Sequence, residues 1–205
     1  FGSWVGGSRT VIHSHEIGKT DFSVKPANER DRDTFLLGGL DCKGPLLPTS
    51  VTLSAGEIRE ADAWIRAKGL RFPILGVGLG ASRPTKQWGF EKLADVVTNW
   101  SRKTGGSSLV VCSAGEARQA KTFWSRLTHS PFLPLIDLPI RVLAARLSRT
   151  KMFVGNDSGP RHLAAAVGVR TVTLFGPEDP HEWHPYDRTN HPLCYVPDLP
   201  CRTSA

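Results

Sequence analysis

Two short stretches hold the side chains best suited to a charged, hydroxylated ligand: Gly80-Ala81-Ser82-Arg83-Pro84-Thr85-Lys86-Gln87-Trp88 and Gly155-Asn156-Asp157-Ser158-Gly159-Pro160-Arg161-His162-Leu163-Ala164-Ala165-Ala166. In the second, Pro160 suits a first helical turn and Gly159 lets a ligand approach the backbone. The free N–H groups of that turn present positive potential to an anion. A diphosphate fits there. Asp157 repels phosphate, so its carboxylate is expected to face neutral hydroxyls of a sugar or ribose. Without a ligand, Asp157 or Ser158 simply caps the helix and His162 is an ordinary surface histidine. In the first stretch the small residues admit phosphates and Ser82 can donate a hydrogen bond. Lys86 either supplies a compact charge that neutralises a leaving diphosphate or is a solvated lysine. Trp88 is expected in the core.

These stretches need a frame that brings them together, and the pattern of elements supplies one. Ser54 can cap a helix while Glu57, three positions on, reaches back to complete a capping box. That helix runs to about Lys68, with Gly69 as a left-handed stop. Strand-like runs then follow at Phe72–Val77, Ser108–Cys112, Leu133–Ile136, Lys151–Val154 and Thr171–Phe175. Between them lie helical patterns at Phe90–Val97, Glu116–Leu127, Val142–Leu147 and His162–Val167, with Phe123 and Leu127 on one face. Continuously apolar strands alternating with helices predict an α/β fold, a Rossmann-like parallel sheet with helices on both faces. Ligands of such sheets bind beyond the carboxyl ends of the strands, so the loops after Val77, Cys112, Val154 and Phe175 should share one rim. Residues 1–50 are loop-rich, broken by Gly6, Gly7, Pro26, Gly38, Gly39, Pro45 and Pro48.

Composition narrows the function classes. The 205 residues are 40% apolar and 22% charged with 6 Trp, as in an ordinary globular protein, and no apolar run is long enough to span a bilayer. Opening on Phe1 with neither a basic n-region nor an apolar h-region, the sequence shows no secretory signal and reads as a fragment. Residues 1–70 carry equal numbers of basic and acidic side chains, so the whole formal excess of +7 lies in residues 71–205. Such an excess favours an anionic partner. Cys42, Cys112, Cys194 and Cys201 include no C-x-x-C pair and read as reduced cytosolic thiols, a Cys194–Cys201 disulfide being the alternative.

Competing motifs fail on spacing. Gly76-Val77-Gly78-Leu79-Gly80-Ala81 follows a strand but its glycines do not open a helix, which argues against a dinucleotide-dependent oxidoreductase. Gly18-Lys19-Thr20 lacks the first glycine and the preceding strand of a P-loop. His181-Glu182-Trp183-His184 lacks zincin spacing, and no metal or other cofactor is expected. The basic residues are scattered and no nucleic-acid module accompanies them, so nucleic acid is not an expected partner.

The segment from Gly155 to Ala166, with Phe175-Gly176-Pro177-Glu178-Asp179-Pro180 and then Trp183, Pro185 and Tyr186, resembles the signature of glycosyltransferase family 9, the lipopolysaccharide heptosyltransferases. Gly80–Trp88 resembles that family's small-residue turn followed by Lys, one residue and Trp. Ser113-Ala114-Gly115-Glu116 resembles its Gly-rich acidic turn, where Glu116 serves either as an acceptor for ribose hydroxyls or as a first-turn carboxylate facing the helix dipole. The likeness covers most of residues 51–195. It implies the C-terminal half of a GT-B fold: residues 1–50 a remnant of the acceptor-side domain, 51–70 an interdomain helix, and 71–205 the nucleotide-sugar-binding domain. The implied donor site is Ser82, Lys86, Glu116, Asp157, Ser158, Gly159 and His162. The implied activity is inverting transfer of heptose from ADP-heptose to the lipopolysaccharide inner core, in the cytoplasm with peripheral contact at the inner face of the inner membrane. The family's first strand and Gly-Asp-type loop have no counterpart here, so the catalytic base is expected in a missing N-terminal region, and the chain is expected to stop before the family's C-terminal helix. A non-catalytic nucleotide-sugar-binding module, or transfer from a different sugar nucleotide, are the alternatives.

Overall fold

The computed structural model describes residues 48–200. The described residues all fall in the second of the chain's two units, which begins at residue 47. Apart from residues 48–50, the acceptor-side remnant assigned to residues 1–50 therefore lies outside the described residues, as do Cys42 and Cys201.

The second unit begins on helix α1 (Ala55–Ala67), and the expected capping box forms: the Ser54 hydroxyl accepts from the Glu57 amide at 3.2 Å and the Glu57 carboxylate accepts from the Ser54 amide at 2.8 Å. Gly69 then takes the left-handed conformation, with φ of 64°. The chain continues through β1 (Leu75–Gly78), a 3-10 turn (Pro84–Lys86), α2 (Phe90–Thr104), β2 (Ser108–Cys112), α3 (Ala114–Gln119), α4 (Lys121–Arg126) and β3 (Phe132–Ile136). It ends with α5 (Ile140–Leu147), β4 (Met152–Asn156), α6 (Gly159–Ala166), β5 (Thr171–Leu174), α7 (Pro180–Trp183) and β6 (Leu193–Cys194).

The six strands form one sheet in the order β3-β2-β1-β4-β5-β6, parallel at every pairing. Alternate residues of each strand feed opposite faces. Leu109 and Val111 pack with Ile65 of α1, Leu147 of α5 and Ala164 of α6, while Val110 and Cys112 pack with Leu93 and Val97 of α2 and Phe123 of α4. Burying both faces is what makes the strands continuously apolar. The helix expected over 116–127 is in fact two. The Trp124 indole donates to the Ala117 carbonyl at 2.8 Å, a carbonyl that an unbroken helix would give to the backbone of residue 121. β6 escaped the sequence reading because only two residues pair, through Thr173 and Phe175 amides donating to Pro192 and Cys194. No helix of the described residues is long and apolar enough to cross a membrane.

Strand order reverses between β1 and β4, where sheets of this kind open a crevice. Gly78 and Gly155 face each other there in register, and a Cβ on Gly155 would lie 3.0 Å from the Gly78 backbone. The two glycines let the central strands end side by side without closing the crevice.

Candidate functional site

The carboxyl ends of β1, β2 and β3 and the start of α6 surround a pocket of about 320 Å³. Four of the expected site residues line it: Ser82 from the β1 loop, Glu116 from α3, and Ser158 and Gly159 from the start of α6. Among the described residues no basic side chain does. Ser158 occupies the N-cap position of α6 but makes no capping bond; its hydroxyl donates to the Asn156 carbonyl at 3.2 Å instead. In the first turn of α6 Pro160 carries no N–H and the Arg161 amide donates to the Ser158 carbonyl at 3.1 Å, so the Gly159 amide is the donor that this turn offers an anion in the pocket.

Glu116 has two tasks. Its carboxylate accepts from the Ser113 amide at 2.7 Å while the Ser113 hydroxyl accepts from the Glu116 amide at 3.2 Å, a second capping box that S-x-x-E spells out in sequence. It also packs against Gly80 so closely that a Cβ there would collide with it. Beside it, Asp137 lines the same wall and holds a positive φ of 45°, its carboxylate accepting from the Ala114 amide at 3.1 Å. No sequence signal marks an aspartate for that conformation. Burial and then the two carboxylates of Glu116 and Asp137 push the Cys112 thiol up to about 11.

Lys86, Asp157 and His162 lie behind this pocket rather than along it. Asp157, expected to face hydroxyls of a sugar or ribose, is paired with two cations of its own chain. Its carboxylate is 2% exposed and paired on both oxygens, Oδ2 with Lys86 Nζ at 2.6 Å and Oδ1 with Arg161 Nη2 at 2.5 Å. A carboxylate removed from water requires such partners. By the same contact the Lys86 ammonium, whose side chain is 11% exposed, is turned from open solvent and lies 5.9 Å from the Trp183 ring. The His162 ring bonds Tyr186 through Nδ1 at 2.7 Å; burial first, then the Arg161 charge, pulls its pKa down to about 4, so it is neutral at pH 7. Two cations thus share one carboxylate.

Arg161 and Asn156 escaped notice in the sequence. Arg161 is wholly buried, four residues after Asp157, a spacing that on a helix brings opposite charges together. Asn156, also wholly buried, ties down the β1 loop at both ends. Its Oδ1 accepts from the Trp88 amide at 2.9 Å and its Nδ2 donates to the Leu79 carbonyl at 3.2 Å. The β5 loop supports the same segment: Arg83 pairs with Glu178, and a Cβ on Gly176 would lie 2.7 Å from the Thr85 carbonyl. Trp88, expected in the core, is 39% exposed with the Lys92 ammonium 5.6 Å above its ring. Backbone anchoring through Asn156 holds that position, so the indole need not be buried. Among the described residues no group of His, Cys, Asp and Glu is placed to hold a metal.

Known proteins resemble this chain in sequence and fold. A lipooligosaccharide heptosyltransferase 2 of Campylobacter jejuni is 30% identical over 140 residues, which are 62% of this chain and 41% of that protein. The structure of Escherichia coli ADP-heptose lipopolysaccharide heptosyltransferase II superposes with a TM-score of 0.67 at 22% identity, covering 78% of this chain and 49% of that one. Escherichia coli heptosyltransferase WaaC with ADP gives a TM-score of 0.59 at 23% identity, over 91% of this chain and 54% of its own. These likenesses establish the shared fold. The chain spans less than half the length of the curated Campylobacter relative it matches. The model of glycosyltransferase family 9 (heptosyltransferase) matches residues 7–204, and with the rim just described this places the chain in that family.

Proposed function

We propose that residues 71–205, with the preceding helix over 51–70, form the donor-binding domain of an inverting glycosyltransferase that moves heptose from ADP-heptose to the lipopolysaccharide inner core. The observation that carries the reading is the excess positive charge beside an open anion site. Lys86 and Arg161 share a single Asp157 carboxylate next to the first turn of α6, where Ser158, Gly159 and Pro160 line the pocket. A diphosphate is the chemistry that such a site lacks. ADP bound to WaaC, and ADP-heptose in the description of heptosyltransferase II, favour adenine and heptose over other donors.

In the reaction, a base deprotonates an acceptor hydroxyl, the hydroxyl oxygen bonds to the anomeric carbon, and the bond to the diphosphate oxygen breaks with inversion. Negative charge grows on the departing nucleotide. Lys86 and the Gly159 amide at the start of α6 stabilise that charge, and no metal is needed for it. The base comes from the acceptor side. The basic excess of residues 71–205 suits an anionic acceptor presented at the cytoplasmic face of the inner membrane.

Calorimetric titration of the 205-residue chain with ADP, ADP-heptose and UDP, beside heptose transfer to a lipid A acceptor, tests this. ADP and ADP-heptose should bind, UDP should not, and Lys86→Met should weaken ADP by about tenfold. Binding without turnover would leave a nucleotide-sugar-binding module. UDP binding in place of ADP would remove the heptose assignment.

A further inference from the structure

Arg161 raises a question that the donor site does not answer. It is wholly buried and does not line the pocket, yet it keeps a full charge beside one carboxylate that Lys86 already neutralises. Nη2 donates to Asp157 Oδ1 and to the Trp183 carbonyl at 3.1 Å, whereas Nε and Nη1 are buried with no hydrogen-bond partner. The rings of Phe175 and Tyr186 lie 5.6 and 5.5 Å from the guanidinium. They hold it in place whatever Lys86 does.

The reserve donors have a use if Lys86 moves. Lys86 occupies Asp157 Oδ2 alone, so its departure would strand that oxygen in a site with almost no water access. Breaking a buried pair from one side is expensive because it leaves an uncompensated charge. Arg161 removes that obstacle: it already holds Oδ1, and a small rotation brings a second N–H to Oδ2 in the two-pronged geometry natural to guanidinium and carboxylate. A lysine at 161 could not do this as well.

We propose that Arg161 is a positioning residue for Lys86: it keeps Asp157 compensated by itself, so that Lys86 can pass from Asp157 to an incoming diphosphate. The inference rests on the donor-site reading above. It assigns a ligand-binding effect to a side chain that never touches the ligand.

The test is ADP titration of the 205-residue chain carrying Arg161→Met, Asp157→Asn or both, each with a thermal melt. In Arg161→Met, Lys86 becomes the sole counter-ion and stays on Asp157, so ADP should bind about tenfold to a hundredfold more weakly. Adding Asp157→Asn removes the charge that detains Lys86, and the double variant should recover to within about threefold of Asp157→Asn alone. A merely structural role would lower the melting temperature, which Asp157→Asn would restore, and would leave ADP affinity unchanged at temperatures where Arg161→Met is folded. Arg161→Met binding ADP as the parent does, or a double variant as weak as the single, overturns the proposal while leaving the donor site intact. If Arg161→Met does not fold, the comparison of Asp157→Asn with the double variant decides: equal affinities support the proposal and a larger than threefold loss refutes it. An unsubstituted chain that takes up neither ADP nor pyrophosphate removes the donor-site reading itself, and this proposal with it.

Discussion

Replacing Asn156 by Asp changes one atom of the side chain that anchors both ends of the Leu79–Trp88 loop, and the cost should depend on pH. Asn156 is wholly buried; its Oδ1 accepts from the Trp88 amide, and its Nδ2 donates to the Leu79 carbonyl. An ionised carboxyl in its place would keep the first bond and turn an oxygen toward the Leu79 carbonyl. A protonated carboxyl would keep both. Burial raises a carboxyl pKa by up to 3–5 units, and the excess cation of the neighbouring Lys86–Asp157–Arg161 group offsets part of this, so a folded pKa of about 6–7 is expected. At about 1.4 kcal/mol per unit, Asn156→Asp should cost about 3–4 kcal/mol at pH 7.5. The folded pKa lies above the unfolded one of about 3.9, so the deficit should be small below about pH 4 and grow as pH rises toward the folded value. Urea denaturation of the variant and the parent at pH 4.5, 6 and 7.5 reads the difference directly, the parent's own pH dependence cancelling. A deficit that does not change with pH, or one under about 0.5 kcal/mol at pH 7.5, would refute the assignment of that side chain as the loop's anchor.

Two further outcomes follow from the same site. His184 donates from Nε2 to the His191 carbonyl at 2.7 Å, while burial lowers its pKa to about 4. The unfolded chain therefore binds its proton first, and stability should fall as pH drops from about 6.5 through 4; an NMR titration midpoint for His184 near 6.5 would contradict this. Glu116→Gln preserves the S-x-x-Q form of the capping box and should leave the melting temperature nearly unchanged, whereas Glu116→Ala should cost about 1 kcal/mol. Both should weaken ADP if the carboxylate accepts from ribose, and equal ADP affinity in all three proteins would confine Glu116 to its capping task.

The sequence made the layered fold legible because burial on both faces leaves an unmistakable mark: Leu109, Val110, Val111 and Cys112 run together since each alternate residue has a helix to meet. The Ser54–Glu57 capping box was legible for a different reason, being wholly local. The break between α3 and α4 was not, because it depends on where the Trp124 indole points once the helix has packed. The site divides along the same line. Which loops reach the rim follows from strand order, but the pairing of Lys86 with Asp157 joins two loops distant in sequence, and no local spacing announces it.

That division also bears on how a nucleotide would lie. The pocket wall carries two carboxylates, Glu116 and Asp137, at the β2 and β3 end, and the uncharged Ser158, Gly159 and Pro160 at the α6 end. A diphosphate placed against the carboxylates would meet repulsion from both in a partly desolvated site. Against α6 it meets the helix dipole and, within a side chain's reach, the ammonium of Lys86. On the proposed reading the phosphates therefore take the α6 end, and the nucleoside, whose hydroxyl and amino groups are donors, takes the carboxylate end. Among the described residues the wall carries no basic side chain, which fits this polarity. A lysine fixed in the wall would attract free phosphate as readily as a nucleotide, whereas one held on Asp157 is drawn out only by an anion seated at the start of α6.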